Sequence, residues 1–139
     1  MSFFRKTIAA AAIATVFSIP AFAEATLNVH YPMPGFFKDE MDVISKKFME
    51  ENPDIKISFV SPSATYEEGI QTILRQAGTA EMPDITFIGL NRLRMIAERG
   101  VNVDMTPLIA KETDMAAQGF SDNILRLAQV GDRQVGLAF

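Results

Sequence analysis

Short apolar stretches alternate with longer helical patterns along most of the chain. Residues 27–31 predict a first strand, and the prolines and Gly35 that follow it predict a loop. Beyond it, apolar residues recur every three or four positions, which predicts a helix with one apolar face. The residues of this face are Phe37, Met41, Ile44 and Phe48. The Asn-Pro-Asp sequence at 52–54 predicts the end of this helix.

The alternation continues through the next two units. Residues 55–59 alternate apolar and polar side chains, which is the period of a strand. Thr65 and Glu68 then form the capping-box pattern that opens a second helix. Its predicted inward side chains are Ile70, Ile73, Leu74 and Ala77. Residues 85–88 predict a third strand with both faces covered, and residues 90–99 predict a third helix ending at Gly100.

Strand and helix therefore alternate three times, which indicates an α/β fold with a parallel sheet and helical crossovers. The pattern is weaker afterwards. Residues 101–109 predict an extended segment that ends in a short turn. Residues 121–128 predict a short helix whose inward side chains are Ile124, Leu127 and Ala128. A hairpin turn at 130–133 is then expected to lead into an apolar strand at 134–139.

This last predicted strand bears on the extent of the domain. It runs to Phe139 with no turn, cap or polar tail after it. Domains rarely stop inside a core strand, because the unpaired edge would promote aggregation. We therefore expect the chain to be the N-terminal piece of a longer protein. The alternative is a small domain that is complete at Phe139.

The first 23 residues have the pattern of a secretory signal peptide. Arg5 and Lys6 precede an apolar run at 7–17, and an Ala-Phe-Ala cleavage motif follows at 21–23. The apolar run is shorter than the ~20 residues of a membrane-spanning helix. The sequence also contains no cysteine that could carry a lipid anchor. We therefore expect cleavage before Glu24, a periplasmic location and no stable membrane insertion afterwards.

Composition narrows the class of protein further. The chain has 139 residues, enough for one domain and too few for a two-domain cleft protein. Its 48% of hydrophobic residues argue against a disordered tail. The net charge is −4, and it becomes −6 without residues 1–23, which hold two basic and no acidic residues. Such a charge argues against a nucleic-acid partner. Without cysteine, a packed core has to stabilise the exported fold.

Patterns typical of catalysis or metal binding are weak in this sequence. His30 is the only histidine, and the carboxylates lack the dense spacing of a calcium loop. A lone histidine is more often a hydrogen-bonded structural residue than a ligand. No G-x-S-x-G motif and no glycine-rich phosphate loop occurs, and the adjacent Glu67 and Glu68 point to different sides of a helix. We therefore expect no catalytic residues, no metal and no other cofactor.

The loops that follow the strands carry the candidate binding residues. In an open parallel sheet, ligands bind outside the carboxyl ends of the strands. Both tyrosines of the chain lie in these loops, and a tyrosine offers sugars and polyols a flat apolar face and a hydroxyl. For Tyr66, packing against the sheet is the alternative. Free amides at 63–66, where the second helix starts, would suit an anionic group. The candidate ligand-binding residues are His30, Tyr31, Met33, Ser63, Tyr66, Gly89, Leu90 and Asn91.

Several segments resemble the extracellular solute-binding proteins, family one, of ABC importers, and in particular their sugar and glycerol phosphate-binding branch. The order and spacing of these segments are more specific than any one of them. They are VHYPMPG at 29–35, FMEENPDIKI at 48–57, TYEE at 65–68, MPDI at 82–85 and VGDRQVGL at 130–137. The resemblance extends from about Thr26 to the last residue.

The resemblance implies a periplasmic-binding-protein-like lobe with a mainly parallel sheet flanked by helices. Residues 24–139 would form the N-terminal part of lobe 1 of a two-lobe protein, after the signal peptide at 1–23. The complete protein would be a receptor without enzymatic activity. It would capture a sugar, polyol or glycerol phosphate-like solute and deliver it to an ABC permease.

The resemblance also assigns roles to some residues. Tyr66 matches a tyrosine that contacts the ligand in the glycerol phosphate branch, and His30 or Tyr31 occupies the region of an aromatic in the first loop. An acidic contact often follows the third strand in that branch, but residues 88–90 read Ile-Gly-Leu here. A small secreted enzyme or interaction domain is the alternative function.

Overall fold

The computed structural model describes residues 24–139, so the predicted signal peptide at 1–23 lies outside the described residues. The strands are β1 (Ala25–His30), β2 (Ile55–Phe59), β3 (Ile85–Thr86), β4 (Gln129–Val130) and β5 (Arg133–Gln134). The helices are α1 (Pro34–Glu51), α2 (Tyr66–Gln76), α3 (Leu93–Arg99), α4 (Thr106–Ile109) and α5 (Asp122–Leu127). A 3₁₀ turn (Leu90–Arg92) leads into α3.

Three strands form a parallel sheet in the order β2-β1-β3. The first crossover leads from β1 to β2, and the second leads from β2 back across β1 to β3. Right-handed crossovers in these opposite directions put α1 and α2 on opposite faces of the sheet. β4 and β5 form a separate antiparallel hairpin. The predicted α/β class, a mainly parallel sheet flanked by helices, is confirmed.

The best-packed part of the molecule lies around α2 and α3. Ile70 and Ile73 of α2 are fully buried and contact Ile96 of α3, as the predicted inward face required. The opposite side of α3 contributes to a second cluster, and Ile88 packs against both clusters. Burying such a side chain stabilises the fold by about 1.5–3 kcal/mol. Helix α3 therefore connects the sheet layer to the C-terminal hairpin.

Helix α1 packs differently from the prediction. None of its residues is fully buried, and Ile44, predicted to face inward, is 61% exposed. Met41 and Phe48 of the predicted face are half-buried, as is Met49, and the amide of Ile57 in β2 donates to the Met49 sulfur at 3.3 Å. The predicted inward face is thus correct at Met41 and Phe48 and wrong at Ile44.

Two predicted strands are shorter than expected. β3 ends at Thr86, although the amide of Phe87 still donates to the His30 carbonyl at 2.9 Å. The strand predicted at 134–139 is wrong beyond Gln134. The side-chain amide of Gln134 donates to the carbonyls of Leu125, Ala128 and Gly136, which directs this segment toward α5 instead of into a ladder.

Two segments that precede the β4–β5 hairpin also depart in part from the prediction. The expected extended segment at 101–109 ends in helix α4, where the Asp104 carboxylate accepts hydrogen bonds from the amide and hydroxyl of Thr106. Helix α5 forms where predicted, but Leu127 is exposed while Ala128 is buried. Within residues 24–139, none of the helices is both long and apolar enough to cross a bilayer.

The contrast between Ile70 and Ile44 allows a direct test of the core. We expect Ile70→Ala to lower the free energy of unfolding by about 2–5 kcal/mol, because it leaves a cavity between α2 and α3. The same substitution at exposed Ile44 should change it by less than about 0.5 kcal/mol. Urea denaturation followed by circular dichroism measures both. Equal effects of the two substitutions would contradict the described packing.

Candidate functional site

The loops that follow β1, β2 and β3 meet at one edge of the parallel sheet. Pro32 and Ser63 form an isolated parallel bridge, and the amide of Met33 donates to the Ser63 carbonyl at 2.7 Å. Met33 has a left-handed backbone with φ of 54° and immediately precedes α1. The loops expected to carry the binding residues are therefore neighbours in the structure.

His30 lies beneath this edge and links the ends of all three strands. Its side chain is fully buried at the end of β1. Its Nδ1 lies 2.7 Å from the hydroxyl oxygen of Thr86 in β3, and its Nε2 lies 3.1 Å from that of Ser63 after β2. Burial lowers the pKa of the His30 imidazole. The expected hydrogen-bonded histidine is confirmed, and both of its ring nitrogens have a protein partner.

The close approach of α2 to this histidine depends on Gly69. A Cβ atom added to Gly69 would lie 2.8 Å from His30 Cε1 and 2.9 Å from the Ser63 hydroxyl oxygen. Real side chains do not make contacts this short, and the neighbouring ring is fully buried. Gly69 therefore allows α2 to pack directly on the histidine and serine.

Above this buried layer, several of the predicted residues gather at the surface. The ring of Tyr66 is 39% exposed at the start of α2. A Cβ atom added to Gly89 would lie 3.9 Å from Tyr66 Cγ and 2.7 Å from the side-chain oxygen of Asn91. Leu90 between them is half exposed. The arrangement offers an aromatic face, an amide and an apolar side chain to a molecule bound at this edge.

Tyr31 occupies a different position from Tyr66. It is buried, and its ring meets that of Phe59 edge to face with 5.0 Å between the centroids. Edge-to-face packing of this kind adds to the stability of the ring pair. Tyr31 and the buried Ser63 thus lie in the layer that supports the edge, together with His30.

The start of α2 is less available to an anion than the sequence suggested. The predicted capping box is present, since the amide of Glu68 donates to the Thr65 hydroxyl at 3.1 Å. The Glu68 carboxylate accepts from the amide of Ala64 at 2.8 Å, so one of the amides expected to be free is occupied. Glu67 in the same turn forms an ion pair with Arg92. Carboxylates already complement the positive end of this helix dipole.

Three residues of this region were not among the predicted site residues. Thr86 could have been found as a polar residue within an apolar strand. Gly69 could have been found as a glycine inside a helical pattern, which usually has a packing reason. Nothing in the sequence indicated that Arg92 pairs with Glu67. Within residues 24–139, no group of three or more acidic or histidine side chains is arranged to hold a metal ion.

The two helical glycines Gly69 and Gly35 provide a matched test of this packing. We expect Gly69→Ala to destabilise the protein by about 1–3 kcal/mol, because the added methyl group collides with the His30 ring. Gly35→Ala in α1 meets no atom within 4 Å, so it should be neutral or stabilise by up to about 1 kcal/mol. Thermal unfolding of both variants measures the difference. A Gly69→Ala protein as stable as wild type would contradict the described contact.

No family model and no curated protein sequence matches the chain. The fold is similar to an ABC substrate-binding protein from Listeria monocytogenes in complex with cycloalternan, with a TM-score of 0.67 and 20% identity over 80% of this chain. It is also similar to the galacto-N-biose/lacto-N-biose I-binding protein of a Bifidobacterium longum ABC transporter, with a TM-score of 0.66 and 19% identity over 83% of this chain.

A periplasmic solute-binding protein from Pectobacterium atrosepticum is a further similar structure, with a TM-score of 0.62 and 21% identity over 81% of this chain. This chain spans 28%, 28% and 27% of the lengths of these three proteins. At such identities the likeness concerns the fold. Residues 24–139 thus have the fold of a part of the extracellular solute-binding proteins of ABC transporters.

Proposed function

We propose that this chain is part of the substrate-binding component of an ABC importer and that the complete protein captures a sugar or polyol for delivery to a permease. The observation that carries the proposal is the gathering of Tyr66, Gly89 and Asn91 at the carboxyl edge of a parallel sheet. Ligands of open α/β sheets bind at this edge. The three similar structures are solute-binding proteins, and two of them are complexes with a saccharide.

Within this edge, the candidate residues divide into two groups by exposure. Met33, Tyr66, Gly89, Leu90 and Asn91 lie at or near the surface, and we assign them to direct contact with the solute. The remaining three are buried beneath them and support the edge: His30, Tyr31 and Ser63. An aromatic ring next to an amide suits a sugar, which has apolar C–H faces and hydroxyl groups.

The electrostatics of this edge favour an uncharged solute over a phosphorylated one. Glu67 and Glu68 occupy the first turn of α2, where an anion would otherwise bind. The charge of Arg92, beside this turn, is already paired with Glu67. A phosphate would have to displace one of these carboxylates or lie close to them. A neutral sugar or polyol meets no such repulsion.

We further assign residues 24–139 to the N-terminal part of lobe 1 of a two-lobe protein. The small share of the similar structures that the chain spans supports this assignment. Apolar side chains at the surface also support it, since Phe36, Val43 and Ile44 of α1 would pack against further parts of such a lobe. A two-lobe receptor closes on its solute by a hinge motion and needs no catalytic residues.

The location of the protein can be tested by its mature N-terminus. We expect the exported protein to reside in the periplasm and to begin at Glu24, because the Ala-Phe-Ala motif at 21–23 directs signal peptidase to this bond. N-terminal sequencing of protein from the periplasmic fraction measures this. Ala23→Phe, which blocks the small-residue position, should leave the precursor uncleaved. Recovery of the intact precursor from the cytosol of wild-type cells would contradict the assignment.

The solute class can be tested with the complete product of the gene. We expect isothermal titration calorimetry to detect binding of at least one neutral saccharide from a panel that begins with lacto-N-biose and cycloalternan. Glycerol 3-phosphate should bind at least about tenfold more weakly than that saccharide, because of the carboxylates at α2. Tyr66→Ala should weaken saccharide binding about tenfold, or ~1.4 kcal/mol.

Two control variants accompany Tyr66→Ala. Tyr66→Phe keeps the aromatic face and should retain most of the affinity, whereas Leu127→Ala changes an exposed apolar residue on α5 and should have no effect. Tighter binding of glycerol 3-phosphate than of every saccharide would contradict the neutral-solute proposal. Turnover of a bound saccharide would contradict the transport function.

A further inference from the structure

We propose that His30 is a positioning residue of the solute site, which holds the three strand-end loops at the separation that the solute requires. The inference rests on the function proposed above. Its basis is geometric: a single buried ring at the end of β1 contacts Thr86 of β3 and Ser63 of the loop between β2 and α2. Among residues 24–139, no other side chain makes hydrogen bonds both to β3 and to the loop between β2 and α2.

The chemistry of the imidazole makes this link directional. A neutral imidazole carries one N–H donor and one acceptor nitrogen. One hydroxyl must therefore accept from the ring while the other donates to it, so Ser63 and Thr86 hold complementary roles. One hydroxyl belongs to the loop after β2 and the other to the end of β3, and losing either one leaves a buried ring nitrogen without a partner, which is costly.

Ser63 and Thr86 lie close, along the chain or through a hydrogen bond, to residues assigned to solute contact. The Ser63 carbonyl also accepts a hydrogen bond from the Met33 amide, which fixes the start of α1. Ser63 lies three residues before Tyr66 in the loop that opens α2. Thr86 lies three residues before Gly89, and the His30 carbonyl accepts from the Phe87 amide between them. A shift of the ring would therefore move the Tyr66 side of the site relative to the Asn91 side.

The surroundings keep the ring uncharged near neutral pH. The groups packed against it are uncharged: the hydroxyls of Ser63 and Thr86, and Gly69 of α2. The nearest carboxylates on α2, Glu67 and Glu68, are exposed and engaged with Arg92 and with the Ala64 amide. Burial lowers the pKa of His30. The stability due to its neutral form is therefore complete above the ordinary pKa of about 6.5 and decreases as the pH falls toward the lowered pKa.

Hydrogen exchange of the chain tests the link without any solute. In His30→Ala, we expect the amides of Met33 and Phe87 to exchange at least about tenfold faster than in wild type, because both report the loop contacts. The amide of Val135, bonded to the Ala128 carbonyl in the other cluster, should change less than about threefold. Unchanged exchange at Met33 and Phe87 would overturn the proposal.

Affinity measurements on the complete protein separate positioning from a merely structural role. With the best-bound member of the saccharide panel, we expect His30→Ala to weaken binding about tenfold or more at a pH and temperature where the variant is fully folded. His30→Gln, which again supplies one donor and one acceptor, should recover part of the affinity. Wild-type affinity should fall as the pH is lowered below about 6.5 toward the lowered pKa of His30, whereas that of His30→Gln should stay nearly constant.

If His30→Ala does not fold, the two hydroxyl variants decide the question. Ser63→Ala should raise exchange at Met33 and weaken saccharide binding, and Thr86→Val should do the same at Phe87. Unaltered affinity in both variants would overturn the positioning role. If no panel member binds the wild type while exchange responds as expected, the link stands and the solute-binding function fails. If saccharides bind but exchange does not respond, the function stands and the role of His30 fails.

Discussion

The hydrogen-bonded imidazole of His30 is the interaction on which the candidate site depends. A polar ring buried at the end of the central strand would be destabilising unless its nitrogens had partners. Hydroxyls from both flanking strand ends supply them, and the absence of a side chain at Gly69 gives α2 the space to pack on the ring. The three loops that form the surface above are consequently connected to one buried polar cluster.

The two faces of the sheet are covered to different extents. On one face α2 and α3 form a well-packed cluster around buried isoleucines, and α3 carries this packing on to the C-terminal hairpin. On the other face α1 contacts β2 along a narrow line and leaves Val43 and Ile44 at the surface. This asymmetry gives the edge beside α2 the firmer support. It is also the edge where Tyr66 and Asn91 approach each other.

The charges at this edge suit the uncharged solute proposed for the complete protein. A helix N-terminus in an α/β protein often binds phosphate, but here Glu67 and Glu68 complement it from within the chain. An exposed tyrosine beside an amide remains for recognition, and such a surface can bind a sugar by stacking and hydrogen bonding. The resemblance of several sequence segments and the similarity of the described structure both point to the fold of the extracellular solute-binding proteins.

Sequence patterns correctly predicted the features that depend only on residues close together in the chain. The capping box at Thr65, the inward isoleucines of α2 and the glycine that ends α3 are all found where the pattern placed them. The final apolar stretch failed as a strand, because a strand exists only where a partner backbone lies beside it. The periodicity of α1 likewise could not state which apolar stripe would face the sheet, since more than one was available.

The sequence by itself determined the alternation of strands and helices, and with it the parallel sheet and the set of loops at its carboxyl edge. It also identified His30 as the only histidine of the chain. Only the tertiary structure decided that this histidine joins Ser63 and Thr86, and that Arg92 pairs with Glu67. The physical reason is that periodicity records the burial of each residue, whereas hydrogen bonds between residues 33 and 56 positions apart depend on how the strands are brought together.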